Sequence, residues 1–183
     1  MDAQPRTTYL LIDGENLDAT LGGSILGRRP QPEERPRWNR VLDHVEEAWG
    51  QPVRGLFFLA VAGDLPAPFV QAVMAIGYRP IPLQGDGKVV DIAIQRTLEA
   101  IRDRDADVVL ASHDGDFLPQ LGALSDGRRR VGLIAFQEFV NAGFREVPHL
   151  ELMDLEYEVG AFNTRLPRVR VIPIDEFDPL EFL

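Results

Sequence analysis

Acidic residues that follow an apolar segment could bind a cation. Residues 108–111 form an apolar run that leads into Asp114 and Asp116, in an Asp-x-Asp spacing. In an open α/β sheet, ligands bind at the carboxyl ends of the strands, where loops cross to helices. Two neighbouring carboxylates repel each other, so a structural role alone explains them poorly. The spacing predicts a cation site.

Two other segments place acids at comparable points. Asp13 follows the apolar residues 9–12, with Asn16 three positions later, and Asp91 falls in the first turn of a predicted helix. If the first and fourth strands are neighbours, these carboxylates converge. Unit charges about 4 Å apart repel by roughly 4 kcal/mol at an effective dielectric near 20. Either some of these carboxyls have a raised pKa or a divalent cation neutralises them, and Mg²⁺ or Mn²⁺ suits oxygen ligands.

Each of these residues also has a structural explanation. Asp13 and Asp114 could cap the helices that follow them, and Asp91 could simply favour a helix N-terminus. Nucleophilic catalysis has little support, because cysteine is absent and the adjacent Ser112 and His113 do not form a pair by default. The remaining polar residues could have only a structural role in their own loops: Asn16, Ser112 and His113.

The elements around these residues alternate between strands and helices. Apolar runs predict strands over residues 9–12, 53–62, 78–83, 107–111 and 130–136, with an edge strand at 150–155. Spacings of three to four residues predict helices over 38–49, 66–76, 88–104 and 117–124, with a short helix or turn at 137–143. Gly22 and Gly23 are expected to end the helix after the first strand. The pattern predicts an α/β fold with a mainly parallel sheet and helices on both faces.

Composition narrows the class of protein. The chain has 183 residues, 45% of them apolar, and no cysteine, so we expect one domain with a substantial core and no disulfides. Residues 1–8 lack the pattern of a signal peptide, and the run 56–62 is too short to span a bilayer. We therefore expect a cytoplasmic protein without a membrane segment.

The net charge of −10 argues against electrostatic binding of nucleic acid over a large part of the surface. Arginines nevertheless cluster locally, at Arg28, Arg29, Arg35 and Arg37, where they either guide a phosphate backbone or form a solvated surface. A second run covers residues 128–130. Lys88 is the single lysine of the chain and stands three residues before Asp91, which suggests a need for a compact positive charge.

Three motifs in order, residues 11–17, 88–94 and 112–117, resemble the NYN domain family of the PIN-like nuclease superfamily, which includes the LabA-like proteins. The resemblance covers about residues 8–150. It implies a PIN-like three-layer sandwich and Mg²⁺- or Mn²⁺-dependent cleavage of RNA. By position, the catalytic and metal-binding carboxylates would be Asp13, Asp91, Asp114 and Asp116. The substrate-binding or orienting residues would be Asn16, Lys88, Ser112, Arg28 and Arg29.

The chain departs from the family pattern at three positions. Val89 replaces a glycine after the lysine, Thr97 stands where many members have another aspartate, and His113 replaces the glycine of Ser-Gly-Asp. These departures leave a second hypothesis open: an RNA-binding or regulatory module derived from a nuclease. A third is a phosphatase of the HAD type or a Toprim-like domain, both of which use acidic strand ends.

The last residues differ from the rest in composition. We expect residues 1–155 to form the domain and residues 156–183 to be an extension that is partly extended or flexible. Apolar residues between 169 and 174 could form a docking strand. The acidic end of the extension could bind a protein partner, and self-association is a further expectation.

Overall fold

A six-stranded parallel sheet lies at the centre of the computed structural model, which describes residues 6–183. The strand order is β3-β2-β1-β4-β5-β6, and every neighbouring pair is parallel. This confirms the predicted sheet and the adjacency of the first and fourth strands. The strands are β1 (Thr7–Asp13), β2 (Val53–Ala60), β3 (Arg79–Leu83), β4 (Ala106–Ala111), β5 (Val131–Ala135) and β6 (Glu151–Asp154).

Helices cover both faces of the sheet, which confirms the three-layer sandwich. One face packs against the first three helices and the other against the last two, in two separate apolar clusters. None of the helices in the described part of the chain is long and apolar enough to cross a membrane. The helices are α1 (Gly14–Thr20), α2 (Trp38–Trp49), α3 (Ala67–Ile76), α4 (Val89–Ile101) and α5 (Leu118–Leu124).

The central elements follow directly from their sequences. All residues of β4 are buried, because helices cover it on both faces, and it is therefore apolar without interruption from Val108 to Ala111. Helix α4 buries Val90, Ile94 and Leu98 on one face, as its spacing predicts. It ends at Ile101, before the predicted residue 104, where the guanidinium of Arg129 donates hydrogen bonds to the carbonyls of Ile101 and neighbouring residues. Arg129 is thus a buried helix cap and not part of a basic surface.

The expected helix break at Gly22 and Gly23 is wrong. The chain continues from α1 as a π-helical turn, Leu21–Leu26, and ends at Gly27 with a φ of +69°. A Cβ on Gly22 would lie 3.0 Å from both the Arg28 carbonyl oxygen and Pro30. This glycine therefore permits close packing and does not interrupt the helix.

The C-terminal extension is anchored by its first half. Leu166 is buried, and the side chain of Arg168 is 1% exposed where it pairs with Asp154 and Glu138. The expected docking strand is wrong, because residues 169–174 form no strand and Val169 is 91% exposed. Residues 1–5 of the predicted domain, and most of the segment assessed for a signal peptide, lie outside the described residues.

Candidate metal centre

The parallel pairing of β1 and β4 brings two polar side chains together at the end of the sheet. Asp13 is the last residue of β1, and Ser112 follows β4 directly. The Ser112 hydroxyl donates a hydrogen bond of 2.8 Å to Oδ2 of Asp13 and accepts one of 3.1 Å from the backbone N–H of Asp114. Ser112 thus ties the two acidic segments together.

Asp13 is a buried carboxyl with a perturbed pKa. It stands at the N-cap position of α1, where the backbone N–H of Asn16 is close enough to lower its pKa but forms no regular capping hydrogen bond. Asp13 is only 2% exposed to solvent. Burial, together with the nearby charges of Asp91 and Asp114, raises the pKa of Asp13 to about 6, although hydrogen bonds from Ser112 and from the backbone of Asn16 lower it in part.

Three other carboxylates form a group that we call the acidic triad: Asp91, Asp114 and Asp116. Each offers an oxygen, and these oxygens all lie within 4.8 Å of one another. Octahedral Mg²⁺ with bonds of about 2.1 Å needs ligand oxygens about 3.0 to 4.2 Å apart. A small inward movement would therefore make the triad a ligand set for such an ion. Asp13 lies beside the triad but outside this group.

Lys88 places a positive charge beside the triad. Its Nζ lies 3.2 Å from Oδ2 of Asp116 and 3.6 Å from Oδ2 of Asp91. The hydrogen bond with Asp116 raises the pKa of Lys88. Burial raises the pKa of Asp91, as does the charge of Asp114, while Lys88 lowers it. The chain's single lysine therefore already neutralises part of a repulsive cluster.

His113 anchors the loop that carries Asp114. Its Nε2 accepts a hydrogen bond of 2.8 Å from the backbone N–H of Phe136, and its ring stacks on the Phe136 ring with centroids 5.6 Å apart. Its backbone N–H donates to Oδ1 of Asn16 at 2.7 Å. Burial and, to a smaller extent, the charge of Arg168 lower the pKa of His113 to about 4. These contacts make His113 a structural residue, and its ring forms no hydrogen bond with Ser112 within the described residues.

Thr97 cannot substitute for the family's additional aspartate. Its hydroxyl donates a hydrogen bond of 2.7 Å to the carbonyl of Ala93, one turn earlier in α4. The third carboxylate of the triad is Asp116, whose backbone N–H donates to Oδ1 of Asp114 at 2.9 Å. Asp114 thus acts both as the expected cap and as a member of the triad.

The predicted arginines are not joined to the acidic triad. Arg28 forms a bidentate pair with Glu34, at 2.6 and 2.8 Å, which lowers the pKa of Glu34 to about 2. Arg29 is exposed, and no ion pair involves it within residues 6–183. Of the cations predicted to bind substrate, Lys88 is the one that the structure places at the triad.

The buried Arg168, which lies close to Phe136, was not predicted from the sequence. Its guanidinium pairs with Asp154 at 2.8 Å and with Glu138, and it lies 4.9 Å from the centre of the Phe136 ring on which His113 stacks. Through Arg168, the C-terminal extension therefore contacts Phe136, the residue that holds His113 and the Asp114 loop in place. No local sequence pattern predicts this pairing, because its partners are distant along the chain.

Comparison with known proteins identifies a matching family and a similar fold. A family model described as NYN domain matches residues 7–152. The chain is also similar to a crystal structure of a protein of unknown function from Vibrio parahaemolyticus, with 16% sequence identity and a TM-score of 0.66. That likeness covers 86% of this chain and 97% of the other, and it supports the fold alone. No curated protein matches the sequence.

Proposed function

This chain belongs to the NYN domain family, and we propose that it is a ribonuclease that hydrolyses RNA phosphodiester bonds with the help of a divalent cation. The observation that carries the proposal is the convergence of Asp91, Asp114 and Asp116 beside the buried Asp13. Membership of this family also sets aside the HAD-type and Toprim-like alternatives.

The acidic triad would hold Mg²⁺ or Mn²⁺. Such a cation would lower the pKa of a water molecule and stabilise negative charge on the phosphate and the leaving oxygen. The three carboxylates fit this role because their oxygens are close together and their mutual repulsion is only partly relieved by Lys88. Whether Asp13 adds a fourth ligand stays a prediction.

Asp13 has the properties of a proton acceptor. A general base works best when its pKa lies near the operating pH, and the pKa of Asp13 is about 6. The Ser112 hydroxyl donates to Oδ2 and orients the carboxylate, whose remaining lone pairs would take a proton from the attacking water. Asn16 supports the same geometry because it fixes the backbone of His113, between Ser112 and Asp114.

Lys88 would contact the RNA phosphate. Its ammonium group lies against Asp91 and Asp116. A cation bound to these carboxylates would repel the ammonium group and free it for a phosphate oxygen. Its side chain is 71% exposed, so this movement meets little steric resistance. Arg28 and Arg29 would make weaker contacts with the RNA backbone.

The test is RNA cleavage in the presence of Mn²⁺ or Mg²⁺. We expect the wild-type protein to cleave, and we expect Asp114→Asn and Asp13→Asn each to lose at least about 100-fold in rate. Asp103→Asn is the matched control, because Asp103 is an exposed aspartate in the turn after α4. Equal rates in all four proteins would overturn the proposal.

A second candidate is an RNA-binding or regulatory module that acts through protein partners. The observation that favours it is the exposed apolar surface of the acidic extension, where Val171 is 96% exposed and Leu180 is 77% exposed. Calorimetric titration with Mn²⁺ separates the two candidates. Absence of binding up to millimolar Mn²⁺ would favour the module, whereas saturable binding that Asp114→Asn removes would favour the nuclease.

A further inference from the structure

A pocket lined by aromatic rings opens next to Asp13. We call it the aromatic pocket, and its volume is about 310 Å³, at the lower end of the range of about 300–1,000 Å³ for small-molecule sites. It lies between the start of α1, the start of α2, β2 and the start of α3. Its walls are Trp38, Phe57 and Phe69, and its polar rim is Glu15, Asp18 and Arg35.

The aromatic walls are held in a fixed arrangement. Phe57 is 3% exposed and makes edge-to-face contacts with Trp38 at 5.1 Å, with Phe69 at 5.4 Å and with Tyr78 at 5.9 Å between ring centroids. Phe69 is 39% exposed, so an apolar ring faces solvent at the pocket mouth. Aromatic rings exposed in a concave site are suited to stacking on a flat ligand.

The aromatic pocket borders the segment that carries Asp13. Gly14 and Glu15 follow Asp13 along the chain, and Phe58, another lining residue, lies beside Asp13 in the register of β1 and β2. A Cβ on Gly14 would lie 2.9 Å from the Phe57 ring. Glycine at this position therefore allows the ring to pack directly against the residue that follows Asp13.

The polar rim favours a neutral ligand that donates hydrogen bonds. Oε1 of Glu15 accepts a bond of 3.2 Å from the backbone N–H of Ala60, which orients the carboxylate and leaves Oε2 available. Asp18 is paired with Arg35 at 3.2 Å, so this part of the rim is close to neutral. An ionised carboxylate accepts hydrogen bonds but cannot donate them, and it repels a phosphate.

We propose that the aromatic pocket binds a nucleobase of the RNA, with a preference for guanine, next to the phosphate that is cleaved. Unpaired RNA bases are recognised by stacking on aromatic side chains and by hydrogen bonds to their edges. Guanine offers adjacent N–H donors that one carboxylate can accept, and Glu15 is the acceptor. The inference rests on the proposed function for the identity of the ligand, but base binding itself needs no metal.

The test is a titration with 5′-GMP in EDTA, so that no cleavage takes place. The chain has two tryptophans, of which Trp38 lines the pocket and Trp49 is buried at the end of α2. In an NMR spectrum the indole N–H signal of Trp38 should shift with 5′-GMP while that of Trp49 stays in place. We expect 5′-GMP to bind more tightly than 5′-UMP.

Variants connect the signal to the pocket. Phe69→Ala should weaken 5′-GMP binding about five- to tenfold, in keeping with the stacking contribution of one aromatic ring. Met74→Ala is the control, because Met74 lies on the same helix, is 58% exposed and does not line the pocket. Glu15→Gln should remove the preference for 5′-GMP over 5′-UMP while stacking remains.

The outcomes separate this inference from the ribonuclease proposal. Binding of 5′-GMP that depends on Phe69 supports the pocket even if the protein cleaves no RNA. No shift of the Trp38 signal up to several millimolar 5′-GMP overturns it, even if RNA is cleaved. Equal affinities of wild type and a folded Phe69→Ala variant also overturn it.

Discussion

Replacing the buried carboxyl of Asp13 with an amide should stabilise the metal-free protein at neutral and alkaline pH. The pKa of Asp13 rises from an ordinary value of 3.8 to about 6 because burial penalises its charge. The folded state therefore binds the proton more tightly than the unfolded chain does. The favourable contribution is complete below pH 3.8 and is lost as the pH rises to about 6.

The size of the effect follows from the change in pKa. At about 1.36 kcal/mol for each pKa unit, the ionised Asp13 costs the folded state about 3 kcal/mol above pH 6. Asp13→Asn avoids this cost, and its amide oxygen still accepts a hydrogen bond from Ser112. Because that bond is weaker than one to a carboxylate, we expect a net gain of about 1–3 kcal/mol at pH 8.

The assay is urea denaturation in EDTA, followed by circular dichroism between pH 4.5 and 8. The gain from Asp13→Asn should shrink as the pH falls, and Asp103→Asn should change little at any pH. A variant that is less stable than wild type at pH 8, or a difference that does not depend on pH, would refute this account of Asp13. Adding Mn²⁺ should stabilise the wild type, since a ligand that binds only the folded state raises its stability.

Three further predictions concern the surroundings of the site. Arg168→Met should lower the free energy of unfolding by about 3–5 kcal/mol, because it leaves Asp154, which is 3% exposed, without its charge partner; urea denaturation measures this, and a loss below 1 kcal/mol would contradict it. Lys88→Gln should tighten Mn²⁺ binding about two- to fivefold in calorimetry, because no ammonium group competes for the triad, and should weaken RNA binding; unchanged Mn²⁺ affinity would show that the ion pair is irrelevant. His113→Gly should cost about 2–4 kcal/mol in thermal or chemical unfolding, because the backbone N–H of Phe136 loses its buried acceptor and the ring its stacking partner; a stable glycine variant would mean that the loop does not need this anchor.

The sequence predicts well those features that depend on local pattern. The spacing of apolar residues predicts the burial of β4 and the apolar face of α4. The placing of acidic residues at strand ends follows from the topology of parallel sheets. The π-helical turn is different, because Gly22 packs against Pro30, and that contact exists only in the folded chain. The same glycine read locally predicts a helix break.

In the candidate site, too, some features follow from the sequence and others depend on the folded structure. The sequence places Asp13 with the other acids, but whether it joins them as a ligand depends on separations of a few ångströms. The structure instead buries Asp13 against Ser112 and leaves the triad around Lys88. Arg168 could not be predicted, because its partner Glu138 lies 30 positions earlier in the chain.

The most direct test of the central claim is a crystal of the protein soaked in millimolar Mn²⁺, with anomalous scattering used to locate the ion. We expect one peak about 2.1 Å from carboxylate oxygens of at least two members of the acidic triad, with Lys88 moved away from them. The peak should disappear in Asp114→Asn. A peak bound elsewhere, or no peak between Asp91, Asp114 and Asp116, would contradict the account.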